Sequence, residues 1–321
     1  MLGVFLISLE RMIILKKLFR WGIVRLFTRS FSDGCWYRQG TLTPTSIIID
    51  HSHPNSVHLG DTLFFLDTIW AALQANIPVY WVGQSDRMPL ASMGVRYAST
   101  HADVPPGVIL TKHDAWVFLR PGHHTIVGFN FWQIRGPGPI GDLVCRMITR
   151  FLYHHVPSMS LVSPVPSWLP VLRQLFQKDA QIWGDIPPNT RLIVVNSFVV
   201  SQAIPAYFRQ RDFAAYIQRI RRKTSAAIVC VGTQRDAKKP LRYPVAYDLR
   251  GQLTILGLLE FLRNAPIDYV VTFDTFMAHA AAIAGCSLRV FSKSKRREPM
   301  IQNRFVPFSN CLKSREIEFV N

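Results

Sequence analysis

Acidic residues are scarce in this 321-residue chain: 20 Asp and Glu stand against 37 Lys and Arg, for a formal charge of +17. Charged residues of both signs reach only 18%, below the roughly 25% of an average soluble protein. Hydrophobic residues reach 49%, which excludes a disordered chain, since disorder needs low hydrophobicity. Eighteen Gly and five Cys are too few for a collagen or a disulfide scaffold. The cysteines (Cys35, Cys145, Cys230, Cys286, Cys311) are odd in number and form no CxxC, so they read as thiols of a reducing cytoplasm. The ten His include the doublets His123-His124 and His154-His155 and a crowded trio, His51, His53 and His58. No HExxH and no Cys/His zinc spacing accompanies them, and one loop rarely supplies a full ligand set, so no metal is expected. The first uncharged run ends at Glu10, too short to span a bilayer. It also lacks the basic start and small-residue cleavage site of a secretory signal. There is no short tandem repeat.

What charge there is comes in blocks. Residues 1–31 carry a net +5, residues 204–250 a net +8 and residues 288–321 a net +5, leaving the remainder near neutral at −1. Such segments suit phosphates, whether of a lipid head group, a nucleotide or a nucleic acid. In the first block Phe5, Leu9, Met12, Leu15, Phe19, Ile23 and Leu26 recur every three or four residues, one apolar stripe of a helix. Arg11, Lys17, Arg20 and Arg25 lie off that stripe, and Lys16 falls at its edge, where it can snorkel outward. A basic amphipathic helix of this kind lies in an anionic membrane interface, or docks on the protein body with its cations in water. Met12 is an alternative start.

After Pro44 short apolar runs alternate with helical stretches. Strands are expected at residues 46–50, 78–82, 108–110, 115–119 and 125–129, with helices opening at Gly60-Asp61-Thr62 and spanning 142–154. A Pro-rich stretch, 156–188, with one helix near 169–178, reads as a linker. Strands follow at 192–195, 226–231, 246–249, 269–273 and 288–291. Between them come helices at 207–223, from Thr254 through Asn264, and from Asp274 or Thr275 to Gly285. Apolar strands alternating with helices mean parallel sheets. The expected fold is α/β, with two Rossmann-like domains facing a cleft. The segments are an N-terminal helix and connector (1–40), a first domain (41–185), and a second domain with a basic tail (186–321).

Open α/β sheets bind ligands at the carboxyl ends of their strands, against helix N-termini. Two helix starts carry polar residues there. In His58-Leu59-Gly60-Asp61-Thr62 the Gly permits close approach, and the Asp either accepts a proton as a general base or only caps its helix. In Phe273-Asp274-Thr275-Phe276-Met277-Ala278-His279 the cap and first-turn amides suit an anion. His279 either points back at that anion or packs among alanines. Arg219, Arg221, Arg222 and Lys223 cluster at a helix C-terminus, where a solvated face suits cations. Arg209 and Arg211 lie nearer the site edge.

Three segments in this order resemble the heptosyltransferase-like glycosyltransferases of family 9, which have the two-domain GT-B architecture. They are HLGDTLFFLDTIWAAL, YDLRGQLTILGLLEFLRNA and YVVTFDTFMAHAAAIAG, and the match spans about residues 46–291. The last is similar to the family's Asp-Thr-Gly-x-x-His-x-x-Ala-Ala motif. The resemblance implies an inverting transfer of a sugar, heptose being one candidate, from a nucleotide-sugar donor such as ADP-heptose, with no cofactor and no metal. It makes Asp61 the general base, flanked on the acceptor side by His58, Gly60 and Thr62. Asp274, Thr275, Phe276, Met277 and His279 become the donor segment, with Ser197 near the donor phosphates and Gly232 and the loop to Asp236 near the nucleoside. Three places depart from the pattern. Phe276 stands where the motif has Gly, the Lys after the first strand of the second domain is absent from SFVVSQAIPAYF, and SKSKRREP replaces a Gly-Pro-Thr stretch. Arg209 or Arg211 are the candidates for the missing cation, although Arg does not simply replace Lys.

The resemblance further implies a bacterial cytoplasmic enzyme, peripheral at the inner membrane. Its acceptor would be a lipopolysaccharide core or related lipid-linked surface glycan. The departures motivate a second reading, a non-catalytic member that binds a nucleotide or anionic glycan. Nucleic acid is not an expected partner, because no nucleic-acid module appears and the basic groups lack interleaved aromatics.

Overall fold

The computed structural model describes residues 29–32, 34–52, 62–83, 93–112, 122–131, 133–134, 139–161, 183, 185–197, 210–273, 275–291 and 317–320. The first sheet contains β1 (Arg29–Ser32), β2 (Cys35–Arg38), β3 (Ser46–His51), β4 (Val79–Gly83), β5 (Arg96–Ala98), β6 (Gly107–Lys112) and β7 (Thr125–Phe129). Their order is β1-β2-β7-β6-β3-β4-β5. Strands β3 to β7 are parallel, and β2 runs antiparallel to both β1 and β7. The chain lays down β4 and β5 on one side of β3, then returns to place β6 and β7 on the other. The winding therefore reverses between β3 and β6.

The second sheet is wholly parallel: β8 (Leu192–Asn196), β9 (Ala227–Cys230), β10 (Tyr247–Asp248), β11 (Ile267–Thr272), β12 (Leu288–Phe291) and β13 (Ile317–Val320). Its order, β10-β9-β8-β11-β12-β13, reverses between β8 and β11. The helices are α1 (Leu66–Gln74), entered through a 3-10 turn at Leu63–Phe65, then α2 (Ile140–His155), α3 (Gln210–Arg221), α4 (Gln234–Ala237), α5 (Ile255–Asn264) and α6 (Phe276–Ala284).

Strand alternation sorts the core. Ile47 and Ile49 of β3 face a cluster with Val79, Trp81, Leu66, Ile69 and Phe151, whereas Ile48 faces Val82, Ala98, Val104, Ile109 and Ile126. In the second sheet Val194, Val229 and Val270 pack on the side of α5 and α6. Ile193, Val195 and Val271 pack against Phe213 and Ile217 of α3. Both faces of this sheet are covered, which explains its continuous apolar strands. The largest cluster holds side chains of both halves. Phe64, from the turn before α1, meets His279 of α6 edge-to-face at 5.2 Å.

The expected strands at 46–50, 78–82, 108–110, 125–129, 192–195, 226–231, 246–249, 269–273 and 288–291 all lie in observed strands, with ends shifted by a residue or two. The expected strand at 115–119, the helix at 169–178 and the amphipathic stripe from Phe5 to Leu26 lie outside the described residues. Strands β1, β2, β5 and β13 were not foreseen. RSFS, CWYR and RYA have no β-branched residue, and IEFV sits in the basic tail, so tertiary pairing decides them. Thr254 caps α5 by accepting from the Gly257 N–H at 3.0 Å. Gly285 ends α6 in the left-handed conformation at φ 85°. Arg219, Arg221, Arg222 and Lys223 are exposed, as a solvated face requires.

Candidate functional site

The two winding reversals mark where each sheet leaves a crevice at its strands' carboxyl ends. At the first, β3 ends in Asp50 and His51. These neighbours point to opposite faces, and each fastens a different element. Asp50 is fully buried, and its Oδ1 accepts from the Ser52 amide at 3.0 Å and from the Ser52 hydroxyl at 2.6 Å. His101 Nε2 lies 3.1 Å from the same oxygen. His101 opens a short 3-10 turn that Thr100 and Asp103 close as a capping box. His51 stacks on Trp81 of β4 and lies 2.6 Å from the Thr62 hydroxyl.

At the second reversal β8 ends at Asn196, followed by Ser197, and β11 ends at Thr272, followed by Phe273. Asn196 Nδ2 donates to the Val231 carbonyl at 3.1 Å, tying β8 to the end of β9. Ser197 is buried and hydrogen-bonded to Tyr243. Burial drives the Tyr243 hydroxyl well above its ordinary pKa, and it pushes the neighbouring Cys230 thiol up to about 12. These are neutral groups, not nucleophiles. Thr275 occupies the N-cap position of α6 in extended conformation, but its hydroxyl makes no capping bond. It lies 3.2 Å from the Thr272 hydroxyl instead. Of the two expected caps, Asp274 or Thr275, it is Thr275 that takes the N-cap position, with its side chain linked back to β11.

Met277 is buried in the core cluster and Phe276 is half-buried against it. His279 is 6% exposed, and its ring packs on Phe64 where the halves meet. Asp236 is 2% exposed, and its Oδ2 accepts from the Thr233 amide and hydroxyl at 2.9 and 2.7 Å. Its carboxylate is a helix cap, which explains its place in the sequence without a nucleoside. A Cβ on Gly232 would lie 3.2 Å from Asp236 and 3.4 Å from Arg250, so this Gly makes room for that capped turn. Thr62 is fully buried. His58, Gly60, Asp61, Arg209 and Asp274, with the Arg211 side chain, lie outside the described residues.

Sequence reasoning missed Asp50, His101 and Arg250. Asp50 closes an apolar strand and Arg250 sits within YDLRG, but their partners are distant in sequence and no local pattern names them. Among the described residues no group of three or more His, Cys, Asp or Glu side chains gathers as a metal site. No helix there is long and apolar enough to cross a membrane.

No family model matches this chain, and no curated protein matches it in sequence. Solved structures do match. The E. coli heptosyltransferase WaaC with ADP is 12% identical over 85% of this chain and 92% of its own, with a TM-score of 0.51. WaaC with ADP-2-deoxy-2-fluoro heptose is 13% identical over 86% and 92%, with a TM-score of 0.50. A glycosyl transferase family 9 structure from Veillonella parvula is 12% identical over 88% of each chain, with a TM-score of 0.48. At such low identity the common property with WaaC is the fold, which in this chain is two parallel-rich sheets in series. This chain therefore has the GT-B fold of the heptosyltransferase WaaC.

Proposed function

We propose that this protein is an inverting, metal-independent glycosyltransferase that moves a sugar from a nucleotide-sugar donor to a lipopolysaccharide-core or related surface-glycan acceptor. The observation that carries the reading is the pair of winding reversals in a fold like that of WaaC, with the Gly-Asp and Asp-Thr motifs beside them in sequence. Asp61 takes the proton from an acceptor hydroxyl. The acceptor oxygen then bonds to the anomeric carbon as the bond to the leaving diphosphate breaks, which inverts that carbon. The α6 N-terminus, Thr275 and Ser197, with Asp274, His279, Arg209 and Arg211, hold the donor and its developing charge. WaaC was solved with ADP and with an ADP-fluoro-heptose, which favours an ADP-type donor and makes heptose the first sugar to try. The basic N-terminal segment holds the enzyme at the cytoplasmic face of the inner membrane, near a lipid-linked acceptor.

Phe276, half-buried where the motif has Gly, favours one second reading: a protein that binds the donor without turnover. Thermal unfolding with a panel of nucleotide sugars tests both. A donor at a hundred times its Kd stabilises by about 2.7 kcal/mol. Asp61→Ala keeps that shift and lowers transfer by about 100- to 10,000-fold, the usual yield of a general base. No shift with any nucleotide sugar refutes both readings, and a shift without wild-type turnover leaves the second.

A further inference from the structure

Thr62 directly precedes the 3-10 turn Leu63–Phe65, is itself in helical conformation at φ −59° and ψ −34°, and makes no side-chain bond to that turn. Its hydroxyl lies 2.6 Å from Nε2 of His51, and both side chains are buried. The His51 ring lies flat on Trp81, with centroids 3.9 Å apart and planes at 8°. Trp81 is fully buried in β4. Gly83 closes β4 opposite His51 at φ 131°, and a Cβ there would come within 2.5 Å of the His51 backbone. The imidazole thus stacks on β4 and bonds the residue that leads into the turn Leu63–Phe65. That turn is buried on every residue, so tertiary contacts hold this stretch in place.

We propose that His51 is a positioning residue for the segment that carries Asp61. The inference rests on the glycosyltransferase reading, because Asp61 is bonded directly to Thr62. Holding Thr62 against β4 constrains the residue that Asp61 adjoins in sequence. A general base must sit within hydrogen-bond reach of the proton it takes, and a displacement of about 1 Å can cost about 100-fold in rate. The stack holds the ring, the ring holds the hydroxyl, and the hydroxyl holds the backbone next to the base.

Three variants of the full chain test this. His51→Phe keeps the stack and removes the bond, Thr62→Val keeps the shape and removes the hydroxyl, and Thr62→Ser restores the hydroxyl. Transfer kinetics and amide hydrogen exchange over residues 62–66 are the readouts. The expected result for His51→Phe and Thr62→Val is a fall in kcat of about tenfold or more with donor KM within about twofold. The double variant should lose no more than either single one, since both remove the same bond. Thr62→Ser should regain most of the rate, and exchange should quicken at 62–66 alone in the two impaired variants. Unchanged kcat, independent losses that multiply in the double variant, or unchanged exchange would overturn the proposal. If the wild type transfers no sugar, the functional reading fails and exchange alone decides: quickening confined to 62–66 upholds the latch, and its absence refutes it. If Asp61→Ala transfers at the wild-type rate, the assignment of the base fails, and the positioning role fails with it.

Discussion

Asp50 is fully buried, and only one of its carboxylate oxygens is engaged: Oδ1 takes all three contacts, while Oδ2 has no hydrogen-bond partner. Burial pushes its pKa up, but the bonds from His101 and Ser52 outweigh burial and hold it below the ordinary 3.8. A carboxyl depressed on folding stabilises the protein above its unfolded pKa, and that contribution fades as pH falls through the lower folded value. Wild type should therefore exceed Asp50→Asn in stability above about pH 5, and the gap should close in stronger acid. Urea unfolding across that range measures it, and a gap independent of pH would show that the pair contributes nothing through charge. Sequence could mark Asp50 as the polar end of SIIID and His51 as one of three crowded histidines. It could not mark His101, 51 residues away, because only the pairing of β3, β4 and β5 brings that turn to the end of β3.

Helix α4 shows what an element borrows from its surroundings. Four residues cannot sustain a helix alone. Thr233 and Asp236 close a capping box over it. Arg250 then donates through Nη1 to the carbonyls of Asp236 and Lys239, both at 2.7 Å. Its Nε and Nη2 fork onto Asp248 at 2.8 and 2.6 Å, and this holds the Asp248 carboxyl below the ordinary range. Arg250→Lys loses the fork and at least one carbonyl, because an ammonium cannot reproduce that planar set. The expected cost is about 2 kcal/mol, mostly from the buried carbonyls left unpaired. Thermal unfolding reads it, and an unaltered Tm would mean the clamp is redundant. The Thr-x-x-Asp spacing is itself a capping signature, so the structural role of Asp236 was legible locally. Arg250 was not, since its carbonyl partners lie 11 and 14 residues back across a turn.

For the whole molecule the charge distribution and the fold give one picture. The two sheets are built from buried apolar strands, and the described basic run Arg219, Arg221, Arg222 and Lys223, at the end of α3 and just beyond it, is exposed. Among the described residues the first sheet begins with β1 at Arg29, so deleting residues 1–28 leaves every described strand intact. If those residues anchor the protein, their deletion should abolish co-sedimentation with anionic vesicles and leave Tm nearly unchanged. Binding that persists would place the membrane contact elsewhere, and a collapsed Tm would mean the segment packs on the body.

The sequence alone determined the α/β class, the order of the core strands along the chain and the helix starts at Thr254 and Thr275. Those follow from local chemistry: β-branched apolar runs make buried strands, Gly stops them, and Thr or Asp opens helices. Tertiary structure decided the rest. Pairing, which depends on partners distant in the chain, made strands of RSFS, CWYR and IEFV. It engaged Asp236 as a helix cap, and set His279 against Phe64. It also spent the Thr62 and Thr275 hydroxyls on His51 and Thr272 instead of on their own helices. The scarcity of acid has the same division. Its count is a fact of composition, but only folding shows two of the 20 acids, Asp50 and Asp236, spent almost wholly inside the protein, where a buried carboxylate persists only if donors meet it.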